Sequence, residues 1–267
     1  MKKSLALSIA IIVIVEFSLS AQDTLFNKKS LNFPTKKYGI SIGNSYEFTG
    51  IRINFADENV KRINGLNVTF WYKLYENKYA VVNGISVGVM PIAGKMGPVN
   101  LGVLGTGTAN NNLYGLTLGG VFVGSSGSIN GFTISGLVTM ADGENSAISG
   151  IAISGIGIGA SKAINGFALG GLAVGTNGEI NGIASSLAYI SAEKKIQGLA
   201  ITPGYLKSGI FNGVALAGFT DTNQMNGLSI AIFNRTEDLH GVQLGLINCA
   251  KNNRRWSRVL PLINFHF

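Results

Sequence analysis

A chain of 267 residues with 37 glycines, 13% charged residues and a formal charge of +8 departs from ordinary globular composition and points to a repeat protein. Its one cysteine, Cys249, excludes an internal disulfide framework, so stability has to come from stacking. The basic excess suits an anionic surface such as lipid headgroups or polyanionic glycan, although net charge speaks first to solubility and non-specific association.

The opening Met1-Lys2-Lys3, the apolar run from Leu5 to Val15 and the small-residue tail Ser18-Leu19-Ser20-Ala21 have the three parts of a secretory signal peptide. Residues 1–21 are therefore expected to be removed on export, and Glu16 ends the apolar run well short of the ~20 residues that a spanning helix needs. Loss of Lys2, Lys3 and Glu16 takes the formal charge from +8 to +7. Residues 22–37 read as a polar basic leader, disordered or loosely docked, with Lys28-Lys29 and Lys36-Lys37 flanking Asn32-Phe33-Pro34.

Residues 38–267 read as one β-repeat domain. Its unit is apolar, Asn, Gly, apolar, small, apolar, small, as in Ile129-Asn130-Gly131-Phe132-Thr133-Ile134-Ser135 and Ile164-Asn165-Gly166-Phe167-Ala168-Leu169-Gly170. Tyr38-Gly39-Ile40 and Thr49-Gly50-Ile51 look like degenerate first copies. Clear copies follow at Gly65, Gly84, Gly115, Gly131, Gly150, Gly166, Gly182, Gly198, Gly213, Gly227 and Gly241, and from Gly115 on the spacing runs 16, 19, 16, 16, 16, 15, 14 and 14 residues. Between Gly84 and Gly115 one further copy fits if Val99-Asn100-Leu101 has lost its glycine. Asn-Gly favours positive φ in a tight turn, so each unit begins at a corner. After the corner, period-two alternation makes a strand. The expectation is that the large residues at positions one and three face a core while the small ones at two and four, such as Ala168 and Gly170, form a flat outer strip.

Two all-β architectures fit. One is a parallel β-solenoid of short 14-19-residue coils; the alternative is an antiparallel outer-membrane-type β-barrel. Asn-Gly hairpin signals and the alternating end Val259, Pro261, Ile263, Phe265, Phe267 speak for the barrel. Against it, the apolar phase slips at glycine in Phe167-Ala168-Leu169-Gly170-Gly171-Leu172-Ala173-Val174, as a second corner would make it do. The girdles of Trp and Tyr that barrels carry are also missing, since only Tyr189 and Tyr205 lie between Gly115 and Gly241. The solenoid is the preferred reading.

The signal-like opening, the tandem Asn-Gly-apolar units and the ending Leu260-Pro261-Leu262-Ile263-Asn264-Phe265 together resemble a group of bacterial exported surface-repeat proteins. The resemblance covers roughly Gly39 to the C-terminus and implies the cell envelope, outer membrane or cell surface. It implies no catalytic residues.

Chemistry is sparse. His240 occupies the slot that Asn fills elsewhere and reads as a corner residue, and Cys249 as a small apolar one. Gly155 to Lys162 lacks the ending and the helix of a phosphate loop. Asp142-Gly143-Glu144-Asn145 occurs once, without the Asp ladder of calcium-binding rolls. No cofactor, metal or nucleic-acid partner is expected, and the chain is not expected to be an enzyme. Two segments carry functional weight: the aromatic-dense insertion with Trp71, Tyr72, Tyr75 and Tyr79, suited to sugar rings or a partner protein, and the basic loop with Arg254, Arg255 and Trp256, suited to anionic headgroups or glycan. The expected function is a structural, adhesive or interaction role at the cell envelope, with self-association through the small-residue strip; an outer-membrane barrel or pore is the alternative.

Overall fold

A computed structural model describes residues 30–72 and 78–267. The segment read as a signal peptide and the leader up to residue 29 lie outside the described residues, as does Tyr75. The described residues are all-β, and they wind as a β-solenoid of stacked parallel coils of about 16 residues. None of them belongs to a helix long and apolar enough to cross a membrane, which says nothing of strands.

One coil shows how the sequence produces this. Strand Ala163–Gly170 pairs in parallel with Ala147–Ser154 before it and Glu179–Ser185 after it, with Gly150, Gly166 and Gly182 in register. Period two would aim residue 166 inward, yet Gly166 is exposed and has φ +109: the chain turns a corner there. A second corner at Gly171-Leu172 leads to the short strand Ala173–Thr176, which pairs with Gly157–Ala160 and with the start of Tyr189–Ala250. A turn at Asn177-Gly178 closes the coil.

The corner glycines stack into a column. Gly39, Gly50, Gly65 and Gly84 share a register that continues through Pro98, then through Gly115, Gly131, Gly150, Gly166, Gly182 and Gly198. A Cβ built on Gly213, Gly227 or Gly241 would sit 2.1, 2.2 or 2.0 Å from the carbonyl oxygen of the corner glycine one coil earlier, so the column runs on through the 62-residue strand Tyr189–Ala250. Pro98, with the cis Gly97-Pro98 bond before it, is the copy that lost its glycine. The long coil between Gly131 and Gly150 accommodates its extra residues in the Asp142–Asn145 turn while strands Val138–Ala141 and Gly157–Ala160 keep register. Neighbouring coils run parallel throughout, which replaces the barrel reading.

The expectation about inside and outside is reversed. Ala152, Ala168, Ala184 and Ala200 are fully buried, as are Thr133, Ser135, Ser154, Gly170, Ser186, Thr202 and Ala215, with Ala217 half-buried. The core side chains are the residues two before each glycine, Ile129, Ile148, Ile164, Ile180 and Ile196, together with Val123, Ile158, Val174 and Ile190 from the short strands. Ile164 and Ala168 share a parity, so the interior of this narrow coil is filled by one isoleucine from the first run, an alanine from the second and a branched residue from the third. Large residues at positions one and three have no room inside and point out. The small-residue strip is therefore core, and cannot be the surface of self-association.

The alanine slot is polar toward both ends. In register with Ala152 stand Ser41, Arg52, Asn67, Ser86, Asn100, Thr117 and Thr133 on the N-terminal side. At the other end the slot holds the buried Ser229 and Gln243, and beside it buried amides bond to one another: Asn234 Nδ2 donates to Asn248 Oδ1 at 2.7 Å and Asn253 Nδ2 to Asn264 Oδ1 at 2.8 Å. Outside the corner, asparagines stack likewise, with Asn181 donating to Asn165 at 3.0 Å and Asn83 to Asn64 at 3.0 Å.

Both ends of the stack are closed by antiparallel strands. Ser30–Pro34 pairs with Tyr38–Gly43, so the leader from Ser30 on is an ordered cap and not a loosely docked segment. Val259–His266 pairs with Gly241–Cys249, which is the physical reason for its resemblance to a barrel's closing strand: both are terminal alternating strands laid on an edge. Pro34 and Pro261 within these caps withhold backbone donors and discourage end-to-end addition of further strands.

Candidate interaction surface

The reversal of parity creates the dominant surface feature. The position-one column runs from Ile40 through Leu116, Phe132 and Ile151 to Val242, and the position-three column from Ile42 through Ile134 and Leu169 to Leu244; apart from Ser185 every member is a large apolar residue. Phe132 is 38%, Ile151 41% and Ile183 40% exposed. Past the second corner a third column adds Val121, Leu137, Ile156 and Leu172, all exposed. None of the three columns contains a charged residue. With coils ~4.8 Å apart and residues ~3.3 Å apart along a strand, this wall is about 60 Å long and about 15 Å wide. That is on the order of 1,000 Å², above the few hundred Å² that soluble monomers usually expose. Parallel sheets are normally covered on both faces; here the inner face is covered by the core, and none of the other described strands is laid over the outer one.

The wall has relief. At its N-terminal end Phe55 (72% exposed) and Phe70 (51%) stack with ring centroids 5.2 Å apart and stand proud of the sheet. At its C-terminal end Ala217, Ile230, Ile232, Leu244, Gly245, Leu246 and Leu262 line an open apolar groove of about 470 Å³.

The residues singled out from sequence do not form one site. Trp71 is exposed at the end of strand Arg62–Tyr72, where it pairs with Ala56, and Tyr79 is exposed with Lys78 Nζ 5.9 Å from its ring centroid; Tyr72 closes the same strand. Arg254, Arg255 and the almost fully exposed Trp256 belong to the turn between the last two strands, on the order of 50 Å away along the stack. His240 does occupy the asparagine slot before the corner Gly241. Its Nε2 lies 3.1 Å from Asp238 Oδ2. Cys249 is half-buried opposite Val259. Asp142 rims a shallow trough floored by Gly159 and Gly175, with Glu193 at its far side, and among the described residues no group of three His, Cys, Asp or Glu side chains could hold a metal ion.

Sequence reasoning missed an aromatic and ionic ladder on the last coils. Tyr189 and Tyr205 stack at 5.9 Å with rings 2° from parallel, and the Tyr205 hydroxyl donates to Asp221 Oδ2 at 2.9 Å. Arg235 bridges Asp221 at 3.8 Å and Glu237 at 3.6 Å, and Lys251 bonds to Glu237, holding that carboxyl below its usual range. The 16-residue spacing of Tyr189, Tyr205 and Asp221, and the 14-residue spacing of Asp221 and Arg235 and of Glu237 and Lys251, was the signal that could have found it. Desolvation first, and then the hydrogen bond and the charge of Asp221, push the Tyr205 phenol up from its ordinary value of 10 to about 12. A group whose folded value lies above its unfolded one contributes stability below pH 10 that is lost as pH rises from 10 toward 12. The difference between ultraviolet titrations of the native protein and Tyr205→Phe is expected to show a single phenol with a midpoint about 12; a midpoint at the ordinary value would remove the Asp221 bond from the account.

No family model, no curated protein and no solved structure matches the sequence. The class is thus set by the fold itself: a parallel β-solenoid with one uncharged apolar side.

Proposed function

We propose that the chain is an exported structural protein of the cell envelope that works by contact through its apolar wall and performs no catalysis. The observation that carries this reading is the wall, a long bare sheet face without a single charge on a chain whose charges lie elsewhere. The secretory pattern of residues 1–21 supports export. The exposed Arg254-Arg255-Trp256 turn supplies a second contact, of a chemistry that suits anionic headgroups or envelope glycan.

Fractionation of cells that produce the chain is expected to find it in the envelope, beginning at Gln22. A photo-reactive amino acid in place of Ile151 should trap an adduct in intact cells, and the same group in place of the exposed turn residue Asn177 should not. Recovery of the uncut chain from the cytoplasm would overturn export; absence of any adduct from Ile151 would overturn the wall as the working surface.

A further inference from the structure

We infer that the partner of the wall is a second copy of this chain, packed face to face in the antiparallel sense so that the Phe55–Phe70 stack of each protomer enters the apolar groove of the other. The inference rests on the reading of the wall as an interaction surface and gives that surface its occupant.

Four observations converge. First, a sheet face on the order of 1,000 Å² meets the ~800 Å² per partner of a stable protein interface, and two apolar sheets pack at ~10 Å without needing polar complementarity. Secondly, the positions of knob and groove match. Phe55 and Phe70 belong to the coils of Gly50 and Gly65, the second and third from the N-terminal end of the glycine column, and each stands five residues after its glycine. The groove is centred on the coils of Gly227 and Gly241, the second and first from the other end, and Ile232 and Leu246 each stand five residues after their glycine. A two-fold axis lying in the plane of the wall, at right angles to the solenoid axis and near Ile151, reverses the order of coils, sets the second and third coils against the last and the one before it, and keeps the position along each strand. It therefore brings knob onto groove twice, as an isologous interface requires. Thirdly, the charges disfavour an anionic lipid surface. From Met96 to Ala192 the only charged residues are Asp142, Glu144, Lys162 and Glu179, a net negative set, and from Leu116 to Leu172 the three columns carry no Trp or Tyr of the kind that marks a membrane interface. Fourthly, the capped ends with Pro34 and Pro261 oppose end-to-end growth, so association closes at two copies instead of continuing as a filament.

The chain as cells produce it, in buffer without detergent, is expected to sediment as a dimer. Phe55→Lys combined with Phe70→Lys changes only exposed side chains; it should leave the β circular dichroism intact and weaken dimerisation at least 100-fold. Arrangement is read separately in a Cys249→Ser background: Phe70→Cys together with Ile232→Cys should give an interchain disulfide, while Phe70→Cys alone should not. A cross-link from Phe70→Cys alone would overturn the antiparallel arrangement. A monomeric native chain overturns the inference. If that monomer still yields an Ile151 adduct in cells, or binds vesicles of phosphatidylethanolamine and phosphatidylglycerol, the wall remains an interaction surface with another occupant; if it does neither, the functional reading falls with the inference.

Discussion

Gly166→Val is expected to lower stability by at least about 4 kcal/mol, whereas Gly159→Ala is expected to stay within about 0.5 kcal/mol of the native protein. The contrast separates two uses of glycine in one coil. At Gly166 the backbone has φ +109, and a Cβ would sit 2.3 Å from the carbonyl oxygen of Gly150. Both the left-handed conformation and the overlap oppose a β-branched residue, and the obstacle is backbone one coil below, which cannot move without shifting the register of the stack. At Gly159 nothing lies within 4 Å of the same added atom, so alanine meets open space. Thr176→Val falls between the two: Thr176 is buried, and its hydroxyl accepts from the Gly178 amide at 3.1 Å, a bond whose loss costs about 1 kcal/mol. Urea midpoints rank the three variants. Gly166→Val as stable as Thr176→Val would mean that the corner column does not hold the coils in register.

Corners, coil lengths and parallel winding were legible because each depends on a local signal: Asn-Gly for positive φ, fixed spacing for stacking, and a phase slip at Gly170-Gly171 for the second corner. Which face turns inward is legible only in the parity of the asparagines. Asn165 shares its parity with Phe167 and Leu169, while Ile164 shares its own with Ala168 and Gly170. Placing Phe167 inside would drag Asn165 toward the core, unless the corner at Gly166 broke the alternation. It does not: the chain bends there without changing parity, and the asparagines stay outside where they bond to one another. A coil of about 16 residues whose interior is already filled by Ile164, Ala168 and Val174 has no room for Phe167 and Leu169 as well. At the candidate site, exposure of Trp71, Tyr79, Arg254, Arg255 and Trp256 was legible from composition. The pairing of Phe55 with Phe70 and the groove near Ile232 was not, since it needs coil numbers counted from both ends of a finished stack.

Arg52→Ala is expected to destabilise the N-terminal coils by about 4 kcal/mol and to leave the C-terminal ones nearly untouched. Arg52 is completely buried in the slot that alanine holds in the middle of the solenoid, and it fits because the slot is occupied by Ser41 in the coil before it and by Asn67 in the coil after it. Its guanidinium donates to Asp57, to Ser45 Oγ at 3.1 Å, to Asn67 Oδ1 at 2.8 Å and to Asn44 Oδ1 at 2.8 Å. Asp57 in turn accepts from Asn54 at 3.0 Å and from Asn67 at 3.3 Å. Removing the cation takes the guanidinium away from a buried carboxylate and opens a cavity, and broken buried pairs of this kind typically cost 3 to 5 kcal/mol, about 4 here. Arg52→Leu combined with Asp57→Asn removes both charges and should recover part of the loss. Because each coil touches only its neighbours, the damage stays local: hydrogen exchange in Arg52→Ala should accelerate across Tyr38–Gly43, Glu47–Asp57 and Arg62–Tyr72 while the amides of Tyr189–Ala250 keep their protection. Acceleration spread evenly along the chain would show instead that the solenoid unfolds as one cooperative unit, and unchanged exchange at Glu47–Asp57 would show that the buried arginine contributes nothing to holding its end of the stack.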